Sequence, residues 1–342
     1  MGIPSINSND APSFISSSPV FQETQIPLIQ HVYDSQIMYQ LQWDCEGGLP
    51  CRIFRAVSFT YSYVKYQILY LLDAFSYRYE AWKNPLQRLF PNADIERMKQ
   101  VYWQLGKDKW KEAIDGNCHE YGKWVFDQGL HNGTVEPEFI LSIERAFHYI
   151  YHHLNTRMNA DMYLQIHKLA CCHFNGLSNN VLIGQEKVGK FRDLDDSIQW
   201  KVSGSYTFTE EAEAELNAMD PRIAILDRQN EVLKYVSMSS EQIYRLVNRY
   251  FDEFYVEAAA SDDDEGRFTA VARLIQKLER LHPTKDGTGR TDTLVMNKLL
   301  VEFGFHPVLL KYPYMSSSLG LEAWKDCLRQ GLRNWEAGEI LA

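Results

Sequence analysis

The chain has 342 residues, 45% of them hydrophobic and 13% aromatic, enough to bury a sizeable core in one large domain or two modest ones. Its net charge of −10 argues against a nucleic-acid backbone or an anionic membrane surface as partner. The six cysteines, Cys45, Cys51, Cys118, Cys171, Cys172 and Cys327, are irregularly spaced, which reads as reduced thiols in an intracellular protein rather than a disulfide framework.

Residues 1–24 are rich in Ser, Pro and Asn and are expected to be disordered. They lack the charged and apolar regions of a secretory signal. After Met1-Gly2, Ile6 stands where a myristoylation signal wants Ser or Thr. The longest apolar stretch, Val64 to Phe75, contains Lys65 and Asp73 and is too short to span a bilayer. The expected location is cytoplasmic, or a cytosol into which the protein is delivered.

Residues 25–155 read as a helical region. Asn84-Pro85 and Pro91-Asn92 mark breaks, and Asp94 to Leu105 and Asp108 to Gln128 read as helices. Gly129 to Gly133 is a loop. Pro137 opens a helix on which Ile140, Ile143, Phe147, Ile150 and Leu154 share a face. His148 and His152 stand four apart on it, but no metal-site signature accompanies them, so they are expected to be structural. Cys118-His119 and Cys171-Cys172-His173 lack zinc-site spacing.

Met162 to Phe174 reads as a further helix. Trp200 to Phe208 and Ile223 to Val236 alternate polar with β-branched and aromatic residues, as the two arms of a hairpin do. The acidic run Thr209 to Met219 between them is expected to be a short solvated helix. Ser239 with Gln242 three residues on forms a capping box. Ser261 to Gly266 is a solvated loop. The next helix carries Phe268, Val271, Leu274, Ile275, Leu278 and Leu281 at helical spacing, and Leu294 to Phe303 is apolar almost all round, as a core helix is.

Between those two helices lies His282-Pro283-Thr284-Lys285-Asp286-Gly287-Thr288-Gly289-Arg290-Thr291. A helix start leaves N–H groups unpaired and carries partial positive charge. Gly287 and Gly289 can turn successive N–H groups toward an anion, Thr288 adds a hydroxyl, and the fork of Arg290 matches phosphate oxygens. Asp286 can hold Mg²⁺, which bridges carboxylates to substrate phosphates. His282, at the end of the preceding helix, can take a proton from an attacking hydroxyl. These parts suit phosphoryl or nucleotidyl transfer, in which positioning and charge stabilisation carry the reaction. Asp-Gly-Thr-Gly alone is an ordinary turn; the residues at fixed spacing between two helices carry more weight.

The stretch resembles the Fic (fido) motif, His-Pro-Phe-x-Asp/Glu-Gly-Asn-Gly-Arg-x-x-Arg, at His282, Pro283, Asp286, Gly287, Gly289 and Arg290. Phe303 to Val308 resembles the family's exit from the post-motif helix, Gly189-Lys190-Phe191-Arg192 its signature before the target-docking flap, and Leu321 to Gly331 its closing helix. The resemblance covers about residues 156–340. It implies a mainly α fold: a Fic-like helical core with a small β-hairpin flap, over 156–342, preceded by the N-terminal helical region.

The resemblance further implies a protein nucleotidyltransferase of the adenylyltransferase kind, moving a nucleotide from ATP or another NTP to a Ser, Thr or Tyr hydroxyl of a target protein. His282 would be the general base and Asp286 would hold Mg²⁺. Gly287, Thr288 and Gly289 would line the anion hole, Arg290 would contact phosphates, and Trp324 would stand near the adenine. The hairpin would align the target by strand addition. Three positions depart from the family: Thr284 for Phe, Thr288 for Asn, and Thr293 for the second Arg, which helps bind the terminal phosphate of ATP. The last points to another diphosphate donor (UTP or CDP-choline), or to a catalytically silent nucleotide- or protein-binding module, as alternatives. The family's inhibitory motif has only near-misses, at Ser76 to Ala81, Thr207 to Ala212 and Ser318 to Ala323, so that form of autoinhibition is not expected. Oligomeric state cannot be read from the sequence.

Overall fold

The computed structural model describes residues 86, 89–90, 93–104, 130–131, 134–135, 137–171, 188–196, 198–201, 207–219, 223–310 and 313–338. All of them lie in the unit Gly47–Ala342. The expectations for residues 1–24, the stretch 64–75, the breaks at Asn84-Pro85 and Pro91-Asn92, the helix 108–128, and Cys45, Cys51, Cys118, His119, Cys172 and His173 fall outside them.

Among the described residues there are eight α-helices: α1 (Ile95–Gln104), α2 (Pro137–His152), α3 (Ala160–Ala170), α4 (Glu210–Ala218), α5 (Ser240–Ala260), α6 (Asp264–Leu281), α7 (Thr288–Glu302) and α8 (Leu321–Ala337). A two-stranded ladder, β1 (Leu130–His131) with β2 (Thr134–Val135), precedes α2. A second antiparallel sheet has three strands, β3 (Ile198–Lys201), β4 (Ala224–Asp227) and β5 (Val232–Tyr235), with β5 in the middle. No helix among the described residues is long and apolar enough to cross a membrane.

The helix α7 is the centre of the fold. Every residue in it except Gly289 is buried, and it packs against α1, α2, α3 and α6. Leu294, Val295, Leu299 and Leu300 point to different sides and each still finds apolar neighbours, which is what an all-round apolar helix requires. Burying one such side chain stabilises by about 1.5–3 kcal/mol. The polar residues that α7 also buries are paired. Asn297 accepts from the Val308 N–H at 2.8 Å and donates to the Thr293 carbonyl at 3.2 Å, which pins the exit segment to the helix. Lys298 pairs with Glu302 one turn on and donates to the Thr156 carbonyl at 2.9 Å.

On α2, Ile143, Phe147 and Ile150 are buried, as their spacing requires, and so is Leu154 in the turn that follows. His148 and His153 are buried with them, His153 stacked on Tyr149 at 4.0 Å. The helix α5 begins with the expected capping box. The Ser239 N–H donates to Gln242 Oε1 at 2.9 Å, and the Ser239 hydroxyl accepts from the Gln242 N–H at 3.3 Å.

Two local expectations are corrected. The tight hairpin lies within 223–236, between β4 and β5; of the expected first arm, Trp200 and Lys201 lie in β3, which pairs with β5 from the other side. The turn is set by Asp227, whose carboxylate accepts the Asn230 N–H at 3.1 Å and the Asn230 amide at 2.8 Å, an Asp–Asn closure the alternation pattern does not reveal. The acidic helix α4 is docked rather than solvated. Ala212 and Leu216, one turn apart, are buried. Glu215 accepts the Leu321 N–H at 2.8 Å through Oε1 and Arg280 at 2.9 Å through Oε2. The start of α8 has no side-chain cap of its own, so Glu215 supplies one from another element.

Candidate active site

The candidate site is the loop 282–287 between α6 and α7. His282 ends α6 as its C-cap in the left-handed region, φ 45° and ψ 66°. For a non-glycine residue that conformation costs about 1–2 kcal/mol, so something must hold it. Arg192 does. Its guanidinium, 0% exposed, donates to the carbonyls of His282 (2.8 Å), Leu281 (3.2 Å) and Val236 (2.7 Å), while its backbone N–H donates to Pro283 (2.9 Å). Two of those carbonyls belong to the helix end, where cations are favoured. The third follows β5, so one side chain ties the flap to the end of α6. Tyr235, the last residue of β5, stacks on the His282 ring at 4.7 Å and 27°. The ring is 5% exposed. Burial, with the Arg192 charge as a lesser cause, lowers the imidazole pKa to about 3, so His282 is neutral at physiological pH.

On the other side of the loop, Gly287 is the N-cap of α7 with φ 75°. A Cβ there would lie 2.3 Å from Cys171 Sγ on the α3 side. Gly287→Ala is therefore expected to cost roughly 2–5 kcal/mol, the sum of a left-handed alanine and an overpacked contact. Urea unfolding checks this. Adding Cys171→Ala should recover the contact part and leave the backbone part; a Gly287→Ala protein as stable as wild type would mean the loop adopts another conformation.

The sequence residues are brought together, with changes in detail. Asp286 is partly exposed, and its Oδ1 accepts the Gly287 N–H at 2.7 Å. Gly289 does not share the left-handed geometry of Gly287; it sits inside the first turn of α7. Of the two glycines only Gly287 has the left-handed geometry the expected nest needs, and its N–H is engaged by Asp286 Oδ1. Thr288 is 1% exposed, and its hydroxyl is 2.6 Å from that of Thr284. The Thr284 hydroxyl also donates to the Asp286 carbonyl at 3.1 Å. A polar staple thus stands where the motif has Phe. Arg290 is buried, and its charge bears on His167. Thr293 is 3% exposed with its hydroxyl donating to the Gly289 carbonyl at 2.8 Å, and Lys285 pairs with Asp196 at 3.4 Å. Trp324 is fully buried in α8, and a contact with a bound base through it requires the core there to open.

Three groups had no sequence signal. His167, in the last turn of α3, accepts the Gly189 N–H at Nδ1 (3.0 Å) and meets the Asp286 carbonyl with Nε2 (2.8 Å). Burial, foremost, brings its pKa to about 4. Asp292 accepts from the Tyr163 hydroxyl at 2.7 Å, and burial pushes its carboxyl well above the usual carboxylate range. Glu279 is buried, and its Oε1 lies 3.5 Å from where a Gly289 Cβ would stand. The partners of His167 and Asp292 are distant in sequence, so no local pattern marks them.

Among the described residues no three or more His, Cys, Asp or Glu side chains converge as a metal cage. A single, partly exposed carboxylate at Asp286 suits Mg²⁺ instead, which keeps several waters and is completed by substrate phosphates.

Residues 157–300 match the family model described as the Fic/DOC family. Among solved structures, a Fic domain-containing signaling protein from Bacteroides thetaiotaomicron is 14% identical, with 75% of this chain and 99% of that chain covered and a TM-score of 0.44. Fic-1 (residues 134–508) from C. elegans is also 14% identical, covering 91% of this chain and 77% of that one, with a TM-score of 0.37. No curated protein matches the chain. The matched segment carries His167, Arg192, the three-stranded sheet and the whole loop 282–291, so the likeness to the Fic/DOC family covers all of the candidate site.

Proposed function

We infer that the protein is a transferase that moves a nucleotidyl group, or another group linked through a diphosphate, onto a hydroxyl of a target protein. Fic/DOC proteins generally transfer nucleotides or other groups onto proteins. The observation that carries the reading is one short loop with a neutral imidazole at the end of α6 and a carboxylate beside the start of α7, His282 and Asp286. His282 accepts the proton of the target hydroxyl as its oxygen attacks the phosphorus nearest the transferred group. The phosphoanhydride bond to that phosphorus breaks, and pyrophosphate from an NTP, or CMP from CDP-choline, leaves with its electrons. The N-terminal turn of α7 and Arg290 face the developing charge, the role such donors play in phosphoryl transfer. Asp286 is the residue to hold Mg²⁺, which when bound neutralises phosphate charge. A target segment would lie along an edge of the β3–β5–β4 sheet.

ATP, another NTP such as UTP, or CDP-choline are the candidate donors. A silent binding module is the second reading. It draws on Thr288 and Thr293, whose hydroxyls are engaged within the protein and leave α7 with fewer groups for a ligand.

A thermal-shift series with ATP, GTP, UTP, CTP and CDP-choline, with and without Mg²⁺, tests the reading, followed by transfer of label from the donor that binds. The expected result is Mg²⁺-dependent stabilisation by one donor and incorporation of its label into protein, both lost in Asp286→Asn. Binding without incorporation into any protein offered favours the silent module. No stabilisation by any donor sinks the transferase reading and leaves the silent module only in its protein-binding form.

A further inference from the structure

We propose that His167 is a positioning residue for the Asp286 carboxylate, acting on it through the peptide between Asp286 and Gly287. The inference rests on the reading of Asp286 as the residue that holds the divalent cation.

The two partners of His167 are both main-chain groups, and each has one role. An N–H only donates, so Nδ1, 3.0 Å from the Gly189 nitrogen, accepts and carries no proton. A carbonyl only accepts, so Nε2, 2.8 Å from the Asp286 oxygen, donates. The ring is thus a neutral Nε2–H imidazole. It is 0% exposed, which keeps water from replacing either bond. Gly189 reaches it because it too is left-handed, φ 72°, and lies against Lys168, where a Cβ would stand 2.7 Å from the Lys168 Cβ.

The carbonyl that His167 holds belongs to the same planar peptide as the Gly287 N–H. In a trans peptide the C=O and N–H point in opposite directions, so fixing one fixes the other. The carbonyl points back to His167 and the Thr284 hydroxyl; the N–H points the other way and donates to Asp286 Oδ1. The carboxylate takes its direction from that bond. Glycine at 287 makes rotation of this peptide sterically cheap. Without the imidazole, one weak hydroxyl contact at 3.1 Å would be left on the carbonyl.

Mn²⁺ serves as the probe. It is titrated into the full chain with the donor nucleotide that binds, and free Mn²⁺ is followed by electron paramagnetic resonance with the nucleotide-alone background subtracted. His167→Phe is expected to weaken Mn²⁺ binding by about 10–100-fold, the usual cost of losing a group that orients a metal ligand. His167→Gln should recover most of it, because one carboxamide can accept from Gly189 and donate to Asp286. Long-range ¹H–¹⁵N spectra of the wild type should show the Nε2–H tautomer, a readout that stands even where His167→Phe does not fold. Wild-type Mn²⁺ affinity in His167→Phe, a loss in Gln equal to that in Phe, or an Nδ1–H tautomer overturns the proposal. Asp286→Asn separates the two layers. If it keeps Mn²⁺ affinity, the cation reading falls and this proposal with it; if it loses affinity while His167→Phe does not, only this proposal falls.

Discussion

Replacing His282 with alanine is expected to lower the rate of group transfer by about a hundred- to ten-thousand-fold, the usual worth of a general base. Nucleotide affinity and fold should change little. The backbone at 282 is already a non-glycine residue in the left-handed region, so alanine adds no new conformational strain. Arg192 holds the carbonyls of 281 and 282 rather than the ring, so the clamp survives the substitution. The ring lost is the one stacked on Tyr235, held neutral by burial. A base with a pKa near 3 is weak while the site is empty. Bringing the negative charge of a diphosphate beside it favours the protonated form and raises that pKa, so proton transfer becomes easier when the donor is bound. The measurement is initial-rate label incorporation in wild type and His282→Ala, with the donor affinity and melting temperature of each. A variant that transfers at the wild-type rate would remove His282 from the role of base.

The parts of the fold that could be read from the sequence are those written in local periodicity. The apolar faces of α2, α6 and α7 and the cap of α5 follow from spacings of three and four residues, and they appear where expected. Harder to read was what depends on partners distant along the chain. The helix α4 looks solvated by composition because Glu dominates it, yet Glu215 is bound by Arg280 and by the start of α8, 65 and 106 residues away. The candidate loop shows the same division. His282, Asp286 and Gly287 stand out within ten residues. The groups that fix their geometry do not: Arg192 is 90 residues from His282, and His167 is 119 from Asp286. Thr288 shows the converse error. Its hydroxyl looks available in sequence, but the Thr284 hydroxyl engages it.

Stability is expected to fall steeply on acidification below about pH 6.5, and the cause is buried histidine rather than carboxylate. His148, His153 and His167 are lowered to about 4 and His282 to about 3, in every case chiefly by burial. In the unfolded chain each returns to about 6.5. Above that value neither state holds the proton, and the four groups do not affect stability. Between 6.5 and the folded values the unfolded chain binds the proton and the folded one does not, so acid favours unfolding. Each group contributes a slope of about 1.4 kcal/mol per pH unit there, so that four acting together approach about 5 kcal/mol per unit. Asp292 works in the other direction. Its folded pKa is raised, so its burial penalty is relieved as the pH falls toward the ordinary carboxylate value. One group against four does not reverse the trend. With native stabilities of about 5–15 kcal/mol, the protein should be largely unfolded well before pH 4. Urea midpoints at pH 7.5, 6.0 and 5.0 measure the slope, and His148→Phe should flatten it by about one group's share, because phenylalanine fills a similar space and takes no proton. Equal midpoints at pH 7.5 and 5.0 would mean that these imidazoles reach water in the folded protein, and that the neutral state assigned to His282 in the empty site does not hold.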